Sequence, residues 1–216
     1  MEPKGSLNMI EKIEGKDVNF SSVTRHIPEV MNALYDREAF SIVTLEEIRD
    51  AFRTKQMQSK AWMMSKIKEL NLDSNSRVLV VGSWLGFTSY CLFKLGFSNI
   101  TETDPDSRLE KLAIHLNRKN PNFKHLSEDV NAIDLSGYDL IINTSCEHIA
   151  DNSWYERIPA SAKIVLHSNN LEGYDHVNTC ESVEEMSSKY PMELNFTGEL
   201  NLGSYSRFML VGNRRT

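Results

Sequence analysis

Apolar positions along this chain follow two periods. From Thr44 onward, Ile48, Ala51, Phe52, Trp62, Met63, Ile67 and Leu70 recur at roughly helical spacing, and Thr44 with Glu47 three residues later has the form of a capping box. One or two helices ending near Asn71 are predicted. The pattern then shortens: Arg77-Val78-Leu79-Val80-Val81 is a largely apolar run suited to a parallel strand covered on both faces, and Gly82 follows it at once. Residues 83–95 read as a helix closed by Gly96, and residues 98–101 as a second short strand running into acidic residues. The alternation continues with a helix over 108–117, a short segment at 123–126 and strands at 138–143 and 162–167. Near the end, residues 193–199 and 206–211 flank a turn-forming stretch at 201–204, which predicts an antiparallel pair. The pattern defines an α/β chain with a mostly parallel sheet flanked by helices. Residues 1–43, broken by Gly5, Gly15 and Pro28, read as a lead-in packed on a main domain over 44–216.

Composition narrows the class. The chain has 216 residues, 40% of them hydrophobic and 25% charged, enough to bury one sizeable core. A formal net charge of -6 disfavours sequence-independent attraction to nucleic acid, which rests on Lys and Arg meeting phosphates. Cys91, Cys146 and Cys180 are odd in number and form no CxxC pair, so no disulfide framework or structural zinc site is expected, and a reducing cytoplasm is the simplest setting. Charges scattered from Glu2 to Asp17 leave no apolar signal-peptide core, and no stretch approaches a membrane span.

The chemistry starts at the first strong strand. Gly82-Ser83-Trp84-Leu85-Gly86 gives a ligand access to backbone where the following helix begins, but the segment lacks G-x-G-x-x-G, and Trp84, Leu85 and Phe87 would crowd a pyrophosphate. A nucleoside ligand without a phosphate chain fits better, and S-adenosylmethionine (SAM) is one. Asp104, about twenty residues beyond the glycine turn, is placed to accept hydrogen bonds from ribose hydroxyls. On these residues the chain resembles the class I SAM-dependent methyltransferases, which are Rossmann-like. Residues 78–86 look like their motif I, Thr103-Asp104-Pro105-Asp106 like their acidic loop, Glu128-Asp129-Val130 like the loop that contacts adenine, and residues 138–143 like the fourth strand leading into the catalytic loop. The resemblance implies SAM as cofactor, with Gly82, Ser83, Trp84, Gly86, Asp104, Asp129 and Asn143 as its contacts. Two departures stand out: the loop has two glycines rather than three, and the fourth strand lacks the Asn-Pro-Pro-Tyr or Asp-Pro-Pro-Tyr signature of amino-methylating enzymes.

The run Asn143-Thr144-Ser145-Cys146-Glu147-His148 brings titratable groups directly after an apolar strand, at the sheet edge where α/β folds bind ligands. Glu147 and His148 are the candidate catalytic residues, placed to orient or deprotonate an acceptor. His167, Ser168, Asn169, Asn170 and His176 are further candidates for the same edge, Lys60 for the methionine carboxylate, and Tyr205 and Arg207 for an anionic substrate. No H-E-x-x-H, P-loop or G-x-S-x-G motif is present, and no metal is expected. The expectation is methyl transfer to an oxygen or nitrogen of a small-molecule or peptide-like acceptor, with no membrane partner. Aminocarboxypropyl transfer or cyclisation of SAM, and a SAM-binding module without turnover, are the alternatives.

Overall fold

The computed structural model describes residues 10–34, 43–173 and 175–215, so residues 1–9 and 35–42 of the expected lead-in, Gly5 among them, lie outside the described residues. The chain forms strand β1 (Glu11–Glu14), helices α1 (Ser21–Thr24), α2 (Ile27–Leu34), α3 (Leu45–Ala51) and α4 (Thr54–Glu69), then β2 (Arg77–Val81), α5 (Phe87–Lys94), β3 (Asn99–Thr103), α6 (Glu110–Asn117) and β4 (Lys124–Leu126). It continues through β5 (Leu140–Asn143), α7 (Ser153–Glu156), β6 (Lys163–Asn169), α8 (Val183–Lys189), β7 (Met192–Asn201) and β8 (Ser206–Arg214). One eight-stranded sheet holds them in the order β1-β7-β8-β6-β5-β2-β3-β4. All neighbours are parallel except β6 with β8 and β7 with β8.

The apolar run of β2 has a direct cause. Successive side chains of a strand point to opposite faces, and both faces here are covered. Val78 and Val80 pack with Leu140, Ile142, Val165 and α4 residues in one core, whereas Leu79 and Val81 pack with Ile141, Ile164, Leu166 and Trp154 in the other. All four β2 residues from Val78 to Val81 are buried, so alternation is erased and the run reads as continuously apolar.

The capping box at α3 is present as expected, with the Glu47 amide donating to Thr44 Oγ1 at 3.1 Å and the Thr44 amide to Glu47 Oε2 at 2.6 Å. Three features differ from the sequence reading. The helix expected from residue 83 begins only at Phe87, because Trp84 and Gly86 adopt left-handed backbone (φ 48° and 74°) that cannot continue a helix. The described lead-in is part of the sheet: β1 pairs in parallel with β7, and Val23, Val30 and Leu34 join the core beside α4. A further helix, α8, packs Val183 and Met186 against the second core, opposite β8.

β3 carries a buried carboxylate. Glu102 is fully buried and accepts hydrogen bonds from Ser89 Oγ of α5 and, at 3.0 Å, from His125 Nδ1 of β4. It ties α5, β3 and the edge strand β4 together. Glu102→Ala leaves the hydroxyl and the buried imidazole without their acceptor and is expected to lower stability by about 2–4 kcal/mol, with Glu102→Gln losing less, measured by urea unfolding.

Candidate active site

The connections leaving β2 diverge: β3 and β4 lie on one side of it and β5, β6 and β8 on the other. Such a switch point opens a crevice at the carboxyl ends of the strands. Here it is a cavity of about 1010 Å³, walled by the loops after β2, β3, β5 and β6, the N-terminal part of α4 and the β7–β8 turn.

On the β2 side the wall is the turn from Gly82 to Gly86. Gly82 has φ 65°, and a Cβ there would lie 2.3 Å from Ser145 Oγ, so the position has neither the backbone nor the space for a side chain. The two loops meet through this contact: Ser145 Oγ donates to the Gly82 carbonyl at 3.3 Å. Asp104 braces the turn from the next strand, accepting the Trp84 amide at 2.9 Å and the Asp106 amide at 3.1 Å on its two oxygens. Each oxygen keeps a lone pair for a ligand hydroxyl. Trp84 is held in the left-handed region, uncommon for a bulky residue and a form of strain that concentrates at functional sites. Ser83 is buried at the cavity wall, its hydroxyl without a partner among the described residues.

Of the expected cofactor contacts, Gly82, Ser83, Trp84, Asp104 and Asp129 line the cavity. Asp129 is exposed, and its Oδ1 accepts the Asn131 amide at 2.7 Å. Gly86 and Asn143 stand behind the wall. Gly86 packs against Ala113 and Asn117 of α6, and Asn143 is fully buried with its Oδ1 on the Ser145 amide at 2.9 Å, shaping the loop rather than facing the cavity.

Glu147 and His148 lie in a 3₁₀ turn after β5 and line the cavity, as do His167, Asn169, His176, Tyr205, Arg207 and Lys60. Glu147 is 2% exposed; its Oε1 accepts from Asn169 Nδ2 at 2.6 Å and lies 3.6 Å from Arg207 Nη1, while Oε2 has no partner among the described residues. The Glu147 carbonyl accepts the amides of Val177 and Asn178, both at 2.9 Å, which draws the loop after β6 back over the β5 edge. That loop places Asp175 against His148, 3.1 Å from its Nδ1 through the carbonyl and 3.3 Å through the carboxylate. Nothing in the spacing of these residues along the chain announced the contact.

The lining also carries cationic groups. Burial brings the Lys60 ammonium down to about 8, with the Arg207 charge acting the same way. Burial likewise drives His167 well below its ordinary value, again helped by Arg207 and Lys60, so its imidazole is neutral. His167 Nε2 and Arg207 Nε are both buried and unpaired among the described residues, in side chains that line the cavity.

Sequence comparison finds no family model and no curated protein that matches the chain. Structural comparison does. The chain is similar to the magnesium protoporphyrin IX methyltransferase of Synechocystis PCC 6803, solved with bound SAM, at 13% identity and a TM-score of 0.58 over 93% of this chain and 97% of that one. It is also similar to the geranyl diphosphate C-methyltransferase of Streptomyces coelicolor A3(2), at 10% identity and a TM-score of 0.60 over 86% of each chain. A third likeness is to the tRNA (uracil-54, C5)-methyltransferase of Pyrococcus abyssi, at 14% identity and a TM-score of 0.55 over 72% of this chain, which spans only 38% of that one. The chain therefore has the class I SAM-dependent methyltransferase fold, as its motifs implied. No helix among the described residues is long and apolar enough to cross a membrane.

Gly82→Ala forces a Cβ into Ser145 and an alanine into a left-handed conformation. It is expected to cost about 2 kcal/mol or more and to lower the melting temperature by several degrees, read by circular dichroism.

Proposed function

We propose that this chain is a SAM-dependent methyltransferase acting on an oxygen or nitrogen of a small-molecule or peptide-like acceptor. The observation that carries the reading is the Gly82–Trp84 turn, held open by Asp104 at the switch point of a methyltransferase-type sheet. The residues present suit SAM: an acidic group with free lone pairs for ribose, an unpaired Ser83 hydroxyl, and a glycine turn without room for a Cβ. Lys60, in the cavity lining, takes the methionine carboxylate, and Asp129 flanks the adenine. Gly86 and Asn143 support the site from behind by fixing the turn and the β5 loop. Relatives in fold act on a porphyrin, a prenyl diphosphate and a tRNA, so the fold leaves the acceptor open; the net charge of -6 favours an acceptor other than nucleic acid.

SAM supplies an electrophilic methyl group on a sulfonium. The acceptor lone pair forms the new bond to that carbon as the carbon–sulfur bond breaks, leaving S-adenosylhomocysteine, and the acceptor gives up one proton. The chain aligns the two partners, an effective source of rate in such displacements. Glu147 and His148, which line the same cavity as the glycine turn, bring about loss of the acceptor's proton.

Isothermal titration with SAM and with S-adenosylhomocysteine tests the reading directly. Saturable binding is expected, weakened about tenfold or more in Asp104→Ala; absence of binding by the wild type refutes it. Turnover should release S-adenosylhomocysteine and not methylthioadenosine.

A pH series tests Lys60 separately. With its ordinary value of 10.5 lowered to about 8, Lys60 is charged below that pH and loses its charge above it. A bound carboxylate favours the charged form, so binding takes up a proton near pH 8. Affinity for S-adenosylhomocysteine should therefore fall as pH rises through about 8. Lys60→Met should bind about tenfold more weakly at pH 7 and lose this dependence.

A further inference from the structure

The loop drawn over the β5 edge brings together three residues with metal-ligand chemistry. Glu147, His148 and His176 each offer one ligand atom, and these atoms lie within 4.8 Å of one another. All three side chains line the cavity. The two imidazoles meet edge to face, their centroids 4.6 Å apart at 82°.

Each of the three is already held through one of its side-chain atoms. His148 Nδ1 faces the Asp175 carbonyl at 3.1 Å, and His176 Nδ1 is hydrogen-bonded to the Leu171 carbonyl, which fixes both rings as Nδ1–H tautomers and leaves each Nε2 as a lone-pair donor. Glu147 Oε1 takes Asn169 and Arg207, leaving Oε2. Second-atom hydrogen bonds of this kind, from imidazole N–H to a carbonyl and from an amide to a carboxylate, are what orient ligands around a bound metal. The independent sign is Oε2 itself. It belongs to a carboxylate 2% exposed, is fully buried, and has no hydrogen-bond partner among the described residues. An unpaired carboxylate oxygen out of water is costly unless a cation or donor meets it.

We infer that Glu147, His148 and His176 form a binding site for a divalent first-row transition-metal ion at the acceptor side of the cavity. Two imidazole nitrogens and one carboxylate oxygen favour manganese, iron, cobalt or zinc over the oxygen-seeking magnesium and calcium. Bonds of about 2.1 Å bring ligand atoms to roughly 3–3.5 Å from one another. Small rotations of the two imidazoles, one exposed and one half-buried, close the remaining gap. Asp175, 3.3 Å from His148, adds negative charge, while Arg207 approaches Glu147 through Oε1. This inference rests on the proposed methyl transfer for its role: Glu147 and His148 act on the acceptor through the ion, which binds the acceptor's oxygen or nitrogen and eases release of its proton to water.

The test uses the full chain without a polyhistidine tag, stripped with a chelator. Titration with Mn2+, followed by loss of the free-ion electron paramagnetic resonance signal, should show one saturable site from which Zn2+ displaces the manganese. Glu147→Gln, His148→Ala and His176→Ala should each weaken Mn2+ binding tenfold or more. Zn2+ should raise the melting temperature of the wild type and not of His176→Ala, whose titration with S-adenosylhomocysteine reports an intact cofactor side. Absence of saturable Mn2+ or Zn2+ binding by the wild type, or binding unchanged in all three variants, overturns the inference. Metal binding at these residues in a chain that binds neither SAM nor S-adenosylhomocysteine upholds the metal site and refutes the methyltransferase reading instead.

Discussion

The structure depends on how closely the loop after β2 meets the loop after β5. β2 is buried on both faces in the interior of the sheet, so its chain leaves only through the carboxyl edge. There Ser145 occupies the space a Cβ at Gly82 would need, and the Asp104 carboxylate holds the turn from the other side. This approach fixes where the wall of the cavity stands. It also accounts for the late start of α5, since the backbone spends residues 84 and 86 in left-handed conformations before a helix can begin.

Some of the buried polar groups without partners among the described residues line the same cavity. Ser83 Oγ, Glu147 Oε2, His167 Nε2 and Arg207 Nε are buried without partners among the described residues, and all four side chains line it. Elsewhere a buried carboxylate such as Glu102 is met by donors from two neighbouring elements. A folded chain tolerates unpaired groups where a ligand supplies the missing partners. The lining combines cationic groups, Lys60 and Arg207, with the imidazoles of His148 and His176 and the Glu147 carboxylate, which Arg207 meets at 3.6 Å.

Elements that bury both faces were legible in the sequence because burial erases alternation. Arg77–Val81 and Leu140–Asn143 appear as apolar runs for this reason, and α3 declares its start through the Thr44 and Glu47 pair. β1 was not legible. Its four residues, Glu-Lys-Ile-Glu, occupy a sheet edge and are held by backbone pairing to β7, which leaves little trace in side-chain choice. α8 escaped notice for a related reason: a short helix that buries Val183 and Met186 presents too few apolar positions to establish a period.

The sequence by itself determined the α/β alternation, the glycine turn after the first buried strand, and the acid twenty positions beyond Trp84, because each is a local requirement of backbone or burial. Only the tertiary structure decided which candidates share a wall. Gly86 and Asn143 turned out to brace that wall from behind. His148 and His176 met because the Glu147 carbonyl captures the amides of Val177 and Asn178, a pairing of backbone groups that no side-chain pattern encodes.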